Sequence, residues 1–316
     1  MILPEMRVLV TGVAGFIGGD LARRLSADGY DVVGLDDLSA GSLSNIAGLS
    51  DLRFIEGDLR SEDVVLRAAD GCEAIFHQGA MRSVPLSVKE PGRTTDVNVR
   101  GTVNVLLAAR ERSARVVFAS SSSVFGDQEQ FPMSERQELR PRSPYAASKL
   151  AGEVYCAAWW KTFGTPTVSL RYFNAYGPGQ DPASEYAAVI PRFIQACLGG
   201  ERPIVYGDGQ QARDFTYIDD VVEANLLAAR APEAAFGQAF NIGGGQVPTK
   251  VNRLLELVGE VTGGTPLDPI HEPPRPGDLR KSQADISLAG RVLGYQPAVG
   301  IDEGLRRTVE SFRSRQ

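Results

Sequence analysis

Six short, nearly uninterrupted apolar runs recur through the first 180 residues: RVLVTG, YDVVGLDD, LRFIEGDL, EAIFHQGA, ARVVFASSS and PTVSLRYFN. A strand with one wet face alternates apolar and polar residues, whereas runs without that alternation need cover on both faces. Longer stretches with helical spacing separate them, so the expected fold class is α/β, a doubly wound parallel sheet flanked by helices. Beyond about residue 178 the texture changes, and Gly- and Pro-rich connections such as GPGQDPAS, YGDGQQ, IGGGQVPT and EPPRPGD separate shorter elements. The expected organisation is a first domain of residues 1–178 and a smaller, loop-rich lobe of residues 179–316, with segments that cross back.

Two helical stretches stand out. TTDVNVRGTVNVLLAARERS carries Val99, Val103, Leu106 and Leu107 at helical spacing, and SPYAASKLAGEVYCAAWWKTFG opens with Ser143 as N-cap and Pro144 at the first helical position. The second carries Tyr145 and Lys149, four residues apart.

Composition removes several classes of function. A net charge of -6 argues against a nucleic-acid footprint, so local arginines must hold any anionic ligand. Three widely spaced cysteines (Cys72, Cys156, Cys197) suggest reduced, mostly buried thiols, and two isolated histidines (His77, His271) make an imidazole metal centre improbable; no metal is expected. The opening MILPEMRVLVTG has no leader pattern and no apolar run reaches spanning length, so a cytoplasmic protein without membrane contact is expected.

TGVAGFIG follows the first strand directly and opens a helix, with Gly12, Gly15 and Gly18 in the spacing G-x-x-G-x-x-G. Glycines there permit a tight turn and close backbone approach, while the N–H groups of the helix start, at Phe16 and Ile17, favour a pyrophosphate. The next strand ends in GLDDLS, which places Asp36, with Asp37 beside it, where a carboxylate accepts hydrogen bonds from ribose hydroxyls and repels a 2′-phosphate. The domain is therefore expected to be Rossmann-type, with NAD as cofactor. Asp58 of EGDLR ends the third strand, where it would meet the adenine amino group; Gly79 and Ala80 of HQGA leave little bulk beside the cofactor.

A phenol of pKa ~10 is a poor base at neutral pH. An ammonium one helical turn away, with the positive nicotinamide, would favour the phenolate, which gives the spacing of Tyr145 and Lys149 a purpose. The fifth strand ends in FASSSSVFG, so hydroxyls emerge where such sheets bind ligands; Ser121 is placed to guide the proton, with Ser122 and Ser123 as neighbours.

TGVAGFIG, LDDLSAG, GDLR, NVRGT, SSSSVFGD, SPYAASK, RYFNAYGPGQ, VIPRFI, RDFTYIDD, FNIGGG and RPGDLRKSQADIS together span nearly the whole chain. In these motifs the chain resembles the extended short-chain dehydrogenases/reductases, specifically the nucleotide-sugar (UDP-hexose) 4-epimerases. The resemblance implies a catalytic set of Ser121, Tyr145 and Lys149, and a cofactor set that adds Leu59, Gln78, Asn98 and Tyr172 to the residues above. Asn98 would also support the active-site helix. On the substrate side it implies Ser122, Ser123, Asn174 on the sugar or its phosphate, Val189 against the uracil, Arg213 and Arg275 on the diphosphate, and Asp278 on the ribose. Residues 179–316 would mainly bind the UDP-sugar, and a homodimer would form through helices near 91–112 and 143–164, with Trp159 and Trp160 there or in ordinary core.

The implied reaction oxidises the sugar at C4 to a transient 4-keto sugar and reduces it on the other face. Ser122 and Ser123 stand where related dehydratases carry an Asp-Glu pair and decarboxylases a glutamate, which leaves reversible redox. Phe125 departs from the family's usual tyrosine. Ser282 stands where a bulkier residue narrows the pocket in some members, favouring UDP-Glc/Gal and UDP-GlcNAc/GalNAc. Arg192 of VIPRFI opens a second reading, a UDP-glucuronate 4-epimerase in which it reads the carboxylate. A non-catalytic NAD-binding scaffold and a conventional dehydrogenase stand further off; an ion pair of Arg213 with Asp214 is the structural alternative to phosphate binding.

Overall fold

The computed structural model describes residues 6–181, 188–264, 268–274 and 279–314. Its centre is a seven-stranded sheet of β1 (Arg7–Thr11), β2 (Asp31–Asp36), β3 (Arg53–Glu56), β4 (Ala74–His77), β5 (Arg115–Ser121), β6 (Thr167–Tyr172) and β7 (Gln238–Ile242). All neighbours pair in parallel, in the order β7-β6-β5-β4-β1-β2-β3. The six apolar runs are the first six strands. Successive residues of β1 show why such a strand needs no polar face: Val8 and Val10 enter one core cluster and Leu9 the other, each fully buried.

The chain runs outward through β2 and β3, returns past β1 and continues through β4. The crevice between β1 and β4, where Thr11 lies beside His77, is therefore the topological switch point at which such sheets bind ligands.

The flanking helices include α1 (Phe16–Ala27), α2 (Gly101–Arg112), α3 (Pro144–Phe163), α4 (Val189–Gly199), α5 (Ile218–Ala229) and α6 (Val251–Thr262). Ser143 caps α3 as its sequence predicts, its hydroxyl accepting from the Ala146 N–H at 3.1 Å with Pro144 in the first turn. Residues 96–100 form a π turn ahead of α2, whose extra residue shifts the helical phase. Of the four apolar positions, Leu106 is buried and Val99, Val103 and Leu107 are half-buried, with Val105 buried beside Leu106.

Beyond residue 178 the chain supplies both β7 and α5 to the sheet, with Val221 and Val222 of α5 in the same cluster as Leu21 of α1. The rest of this region is tied by short strand pairs: Ala175–Tyr176 with Thr216–Tyr217, Ala212–Arg213 with Thr249–Lys250, and Ile204–Tyr206 with Ile270–Glu272. All three cysteines are free thiols, Cys72 and Cys156 buried and Cys197 half-buried. Among the described residues no helix is long and apolar enough to cross a membrane, and no cluster of His, Cys, Asp or Glu is arranged to hold a metal ion.

Candidate active site

The glycine turn between β1 and α1 packs backbone on backbone. Gly12 adopts φ +68, and a Cβ there would lie 2.6 Å from the Gly79 Cα; one on Gly18 would overlap the Gly12 carbonyl oxygen. Gly15 caps α1 without a side-chain hydrogen bond, so the first-turn N–H groups, Phe16 and Ile17 among them, face the crevice uncapped, as a pyrophosphate requires. Asp36 closes the turn: its carboxylate accepts from the Ala14 N–H at 3.0 Å and the Leu38 N–H at 2.8 Å, and burial raises its pKa. Each oxygen keeps acceptor capacity for a ribose hydroxyl. A bare glycine cradle with a buried carboxylate at the end of β2 fits a dinucleotide.

The neighbouring acids behave differently. Asp37 is exposed and accepts from the N–H and hydroxyl of Ser39, so it turns into its own loop. Asp58 is held by Arg60 through Nε at 2.9 Å and Nη2 at 2.5 Å, which lowers its pKa; this local pairing competes with the expected adenine contact. Leu59 is buried beneath Gly79, and Ala80 is half-buried at the end of β4.

Two side-chain clusters at the crevice were not read from the sequence. Buried His77 joins Thr11 Oγ1 at 2.8 Å to Thr102 Oγ1 at 3.0 Å. Because Thr102 donates to the Asn98 carbonyl, Nε2 of the ring must donate and Nδ1 accept. Burial holds the His77 pKa down at about 3, so the ring stays neutral. Near the end of β6, the Tyr172 hydroxyl meets Gln78 Nε2 at 3.2 Å and Asn225 Nδ2 of α5 at 2.9 Å, and Gln78 Nε2 also reaches the Asn225 amide oxygen at 2.9 Å; burial pushes the Tyr172 pKa up to about 12.

The proposed catalytic residues converge at the carboxyl end of β5. The half-buried Tyr145 phenol lies near enough to Ser121 for that hydroxyl to act on its pKa, and the Ser121 hydroxyl accepts from the Ser123 N–H at 3.2 Å. Lys149 is buried one turn along α3 and donates to the Ala119 carbonyl at 2.7 Å. Burial lowers its pKa to about 8, which leaves most of the population charged at neutral pH.

One expectation changes here. The Tyr145 pKa is raised, because burial outweighs the Ser121 hydroxyl and the positive charge of Arg82. Arg82, four residues past Gln78, was missed because the sequence shows no reason for it to approach Tyr145. Asn98 explains its approach: the amide accepts from the Met81 N–H at 2.7 Å and donates to the Met81 carbonyl at 3.0 Å and the Ser148 hydroxyl at 2.9 Å. Ser148 donates in turn to the Tyr145 carbonyl at 2.8 Å, which fixes the Arg82 loop to the Tyr145 turn. With its donors so occupied, Asn98 supports α3 and the loop rather than reaching for the cofactor.

Past the end of β6 lies a cavity of about 280 Å³ whose lining includes Asn174, Val189, Tyr206, Arg213 and Phe215. Asn174 adopts φ +37, a conformation that is strained without a glycine, and its amide donates to the Asp214 carbonyl at 2.8 Å and the buried Ser282 hydroxyl at 3.2 Å. Ser282 thus holds Asn174 in place. Asp214 spends its carboxylate on the N–H groups of Gly244 at 2.8 Å and Ala284 at 2.9 Å, not on Arg213, and burial raises its pKa to about 6. Arg192, on the first turn of α4, is half-buried and does not line this cavity. Ser122 and Ser123 are half-buried beside Ser121, and Ser123 Oγ is buried without a hydrogen-bond partner. Arg275 and Asp278 lie outside the described residues.

The model of the NAD dependent epimerase/dehydratase family matches residues 8–243. A UDP-glucose 4-epimerase from Mycolicibacterium smegmatis is 44% identical, covering 98% of this chain and 99% of its own. Among solved structures, the UDP-glucose 4-epimerase of Thermotoga maritima, determined with UDP-glucose, superposes with a TM-score of 0.93 at 37% identity, over 98% of this chain and 99% of that one. A UDP-N-acetylglucosamine 4-epimerase from Methanobrevibacter ruminantium, in complex with UDP-N-acetylmuramic acid, gives 0.94 at 36%, over 99% of this chain and 100% of that one.

Proposed function

The chain belongs to the NAD dependent epimerase/dehydratase family, and from that premise we propose that it is a cytoplasmic, homodimeric 4-epimerase of UDP-Glc/Gal and UDP-GlcNAc/GalNAc. It is an enzyme of the isomerase class that uses NAD. The observation that carries the mechanistic reading is the convergence of Ser121, Tyr145 and Lys149 at the carboxyl end of β5, with Lys149 one turn from Tyr145 on α3 and anchored on the Ala119 carbonyl.

NAD, when bound, supplies the hydride acceptor and donor and a positive ring charge. Tyr145 takes the C4 hydroxyl proton, with Ser121 bridging phenol and sugar, and returns it after the ring presents its other face. Burial keeps the phenol protonated in the free protein, so its activation depends on positive charge, of which Arg82 is one source. Lys149, anchored on Ala119, holds the nicotinamide ribose side of the site. Arg213 holds the diphosphate, Asn174, whose two N–H groups are engaged within the chain, offers its amide oxygen to a sugar hydroxyl, Val189 faces the uracil, and Ser122 and Ser123 offer hydroxyls to the hexose, with no acid beside Ser121 to drive elimination or decarboxylation. Arg275 and Asp278 are assigned to the diphosphate and ribose on sequence alone.

The neutral and N-acetylated sugars are favoured because residue 282 is a serine and Arg192 stands outside the cavity lining. Purified enzyme incubated separately with UDP-Glc, UDP-GlcNAc and UDP-GlcA, with each 4-epimer resolved chromatographically, is expected to convert the first two. Conversion of the uronate alone, abolished by Arg192→Ala, would replace this reading with the glucuronate one.

The dimer reading is supported by exposed apolar side chains on α3: Val154 is 61% and Phe163 44% exposed. Trp159 lies between Tyr155 and Phe163 on the same helix, whereas Trp160 packs edge-on against Phe236 within the chain at 5.1 Å. Val154→Asp is expected to convert a dimer to a monomer by light scattering; a monomeric parent protein would refute the assembly.

A further inference from the structure

Tyr145, Lys149 and Glu153 follow one another at single-turn intervals along α3, so they share the face that lies on β5 and β6. Each engages a different residue at the end of β5. Tyr145 lies by Ser121, Lys149 donates to the Ala119 carbonyl at 2.7 Å, and Glu153 accepts from the Ser120 hydroxyl between them. The Glu153 carboxylate also accepts from Arg171 Nε at 2.9 Å and Nη2 at 2.7 Å, a bidentate pair whose side chains are 7% and 5% exposed. Arg171 is the register partner of Ser120 across β5 and β6, and Ser121 that of Tyr172. One buried carboxylate therefore fixes a helix to two strands at the residues immediately preceding Ser121 and Tyr172.

From this zipper we infer that Glu153 is a positioning residue of the epimerase, whose carboxylate sets the height of α3 on β5 and thereby the alignment of Tyr145 with Ser121 and of Lys149 with its anchor. A buried ion pair adds little net stability compared with apolar packing, so its place directly beneath the reacting groups points to alignment. A displacement of about 1 Å in such an array costs up to about 100-fold in rate. The charge of the carboxylate also acts on the Lys149 ammonium. Around that ammonium lie His77 of β4, which is neutral, Cys156, whose pKa burial pushes up to about 12, and Glu153, which acts to raise the Lys149 pKa against burial. Arg171, the bidentate partner of the carboxylate, carries the opposing charge.

The inference rests on the epimerase reading, and its test separates the two. In Glu153→Gln, kcat for the accepted UDP-sugar is expected to fall about tenfold with KM within twofold, and the alkaline limb of the kcat profile to move to lower pH, because Lys149 loses a charge that favours its protonation. Glu153→Asp keeps the charge and shortens the reach, so it should lose rate without moving that limb. Ser120→Ala, which spares the Arg171 pair, should lower kcat severalfold at unchanged thermal stability. Should Glu153→Gln not fold, the Asp and Ala variants carry the test. Full kcat in Ser120→Ala with an unmoved alkaline limb in Glu153→Gln, or full kcat in both Ser120→Ala and Glu153→Asp, would reduce Glu153 to a fold-stabilising ion pair. If the wild type turns over no UDP-sugar the functional reading fails instead; the Lys149 titration, followed by NMR in 13C-lysine-labelled protein, must then still shift downward in Glu153→Gln or the inference fails too.

Discussion

Tyr145→Phe is expected to abolish epimerisation, lowering kcat by about 10³-fold or more, within the range attributed to a positioned acid–base group, while leaving nucleotide-sugar affinity within about tenfold. The ring keeps its packing, and the hydroxyl lost is the one that lies by Ser121. Arg213, assigned to the diphosphate, and Asn174 line a cavity whose lining does not include Tyr145, and both are untouched. A loss confined to kcat therefore identifies a group that acts in the transition state. Calorimetric titration with the UDP-sugar together with single-turnover rates would check both halves. Retention of more than a tenth of the wild-type kcat would remove the phenol from the chemistry. Because burial raises the phenol pKa in the free protein, wild-type activity should also climb with pH on its acid side, and this limb should be absent from any residual rate of the Phe variant.

Much of this site was legible because its parts sit at fixed offsets from strand ends. Parallel strands buried on both faces declare themselves as apolar runs, and each run is followed by the residues that meet at the switch point: the glycine turn after β1, Asp36 after β2, and the serines after β5. Tyr145 and Lys149 were legible because helical geometry fixes their spacing. β7 was not counted among the six runs, since QAFNI is short and lies among turn-rich segments where the β-pattern carries little weight.

What escaped the sequence is what depends on distant residues arriving together. Asn225 meets Tyr172 across 53 positions, and no local periodicity announces that meeting. Arg82 reaches Tyr145 because Asn98 and Ser148 tie its loop to α3, an arrangement that becomes visible once the chain is folded. Asp214 was weighed as an ion-pair partner of its neighbour Arg213, yet its carboxylate binds backbone N–H groups of two other segments. Adjacent residues on an extended strand point to opposite sides, so sequence adjacency was a poor guide to pairing there. Asp58 shows the converse, since Arg60 two residues away claims a carboxylate that position alone assigned to the cofactor.

Gly18→Ala should be the most damaging single-methyl change at the cofactor site, leaving less than about a tenth of the protein with NAD retained on purification and lowering stability by about 1–3 kcal/mol, the usual cost of overpacking. An added Cβ would overlap the Gly12 carbonyl oxygen and come within 2.9 Å of the Val13 Cα, and neither backbone atom can rotate aside as a side chain could. Gly12 has no room to retreat, because it already abuts the Gly79 backbone. The turn must therefore open, drawing the N–H groups at the start of α1 away from the position a pyrophosphate would occupy and straining the Asp36 bond to the Ala14 N–H. Gly92→Ala provides the control, since a Cβ there meets nothing within 4 Å and should leave cofactor content unchanged. Absorbance of bound dinucleotide after perchloric-acid release would measure both variants. Equal NAD content in Gly18→Ala and wild type would mean that the close contact of Gly12 and Gly18 does not shape the cofactor seat.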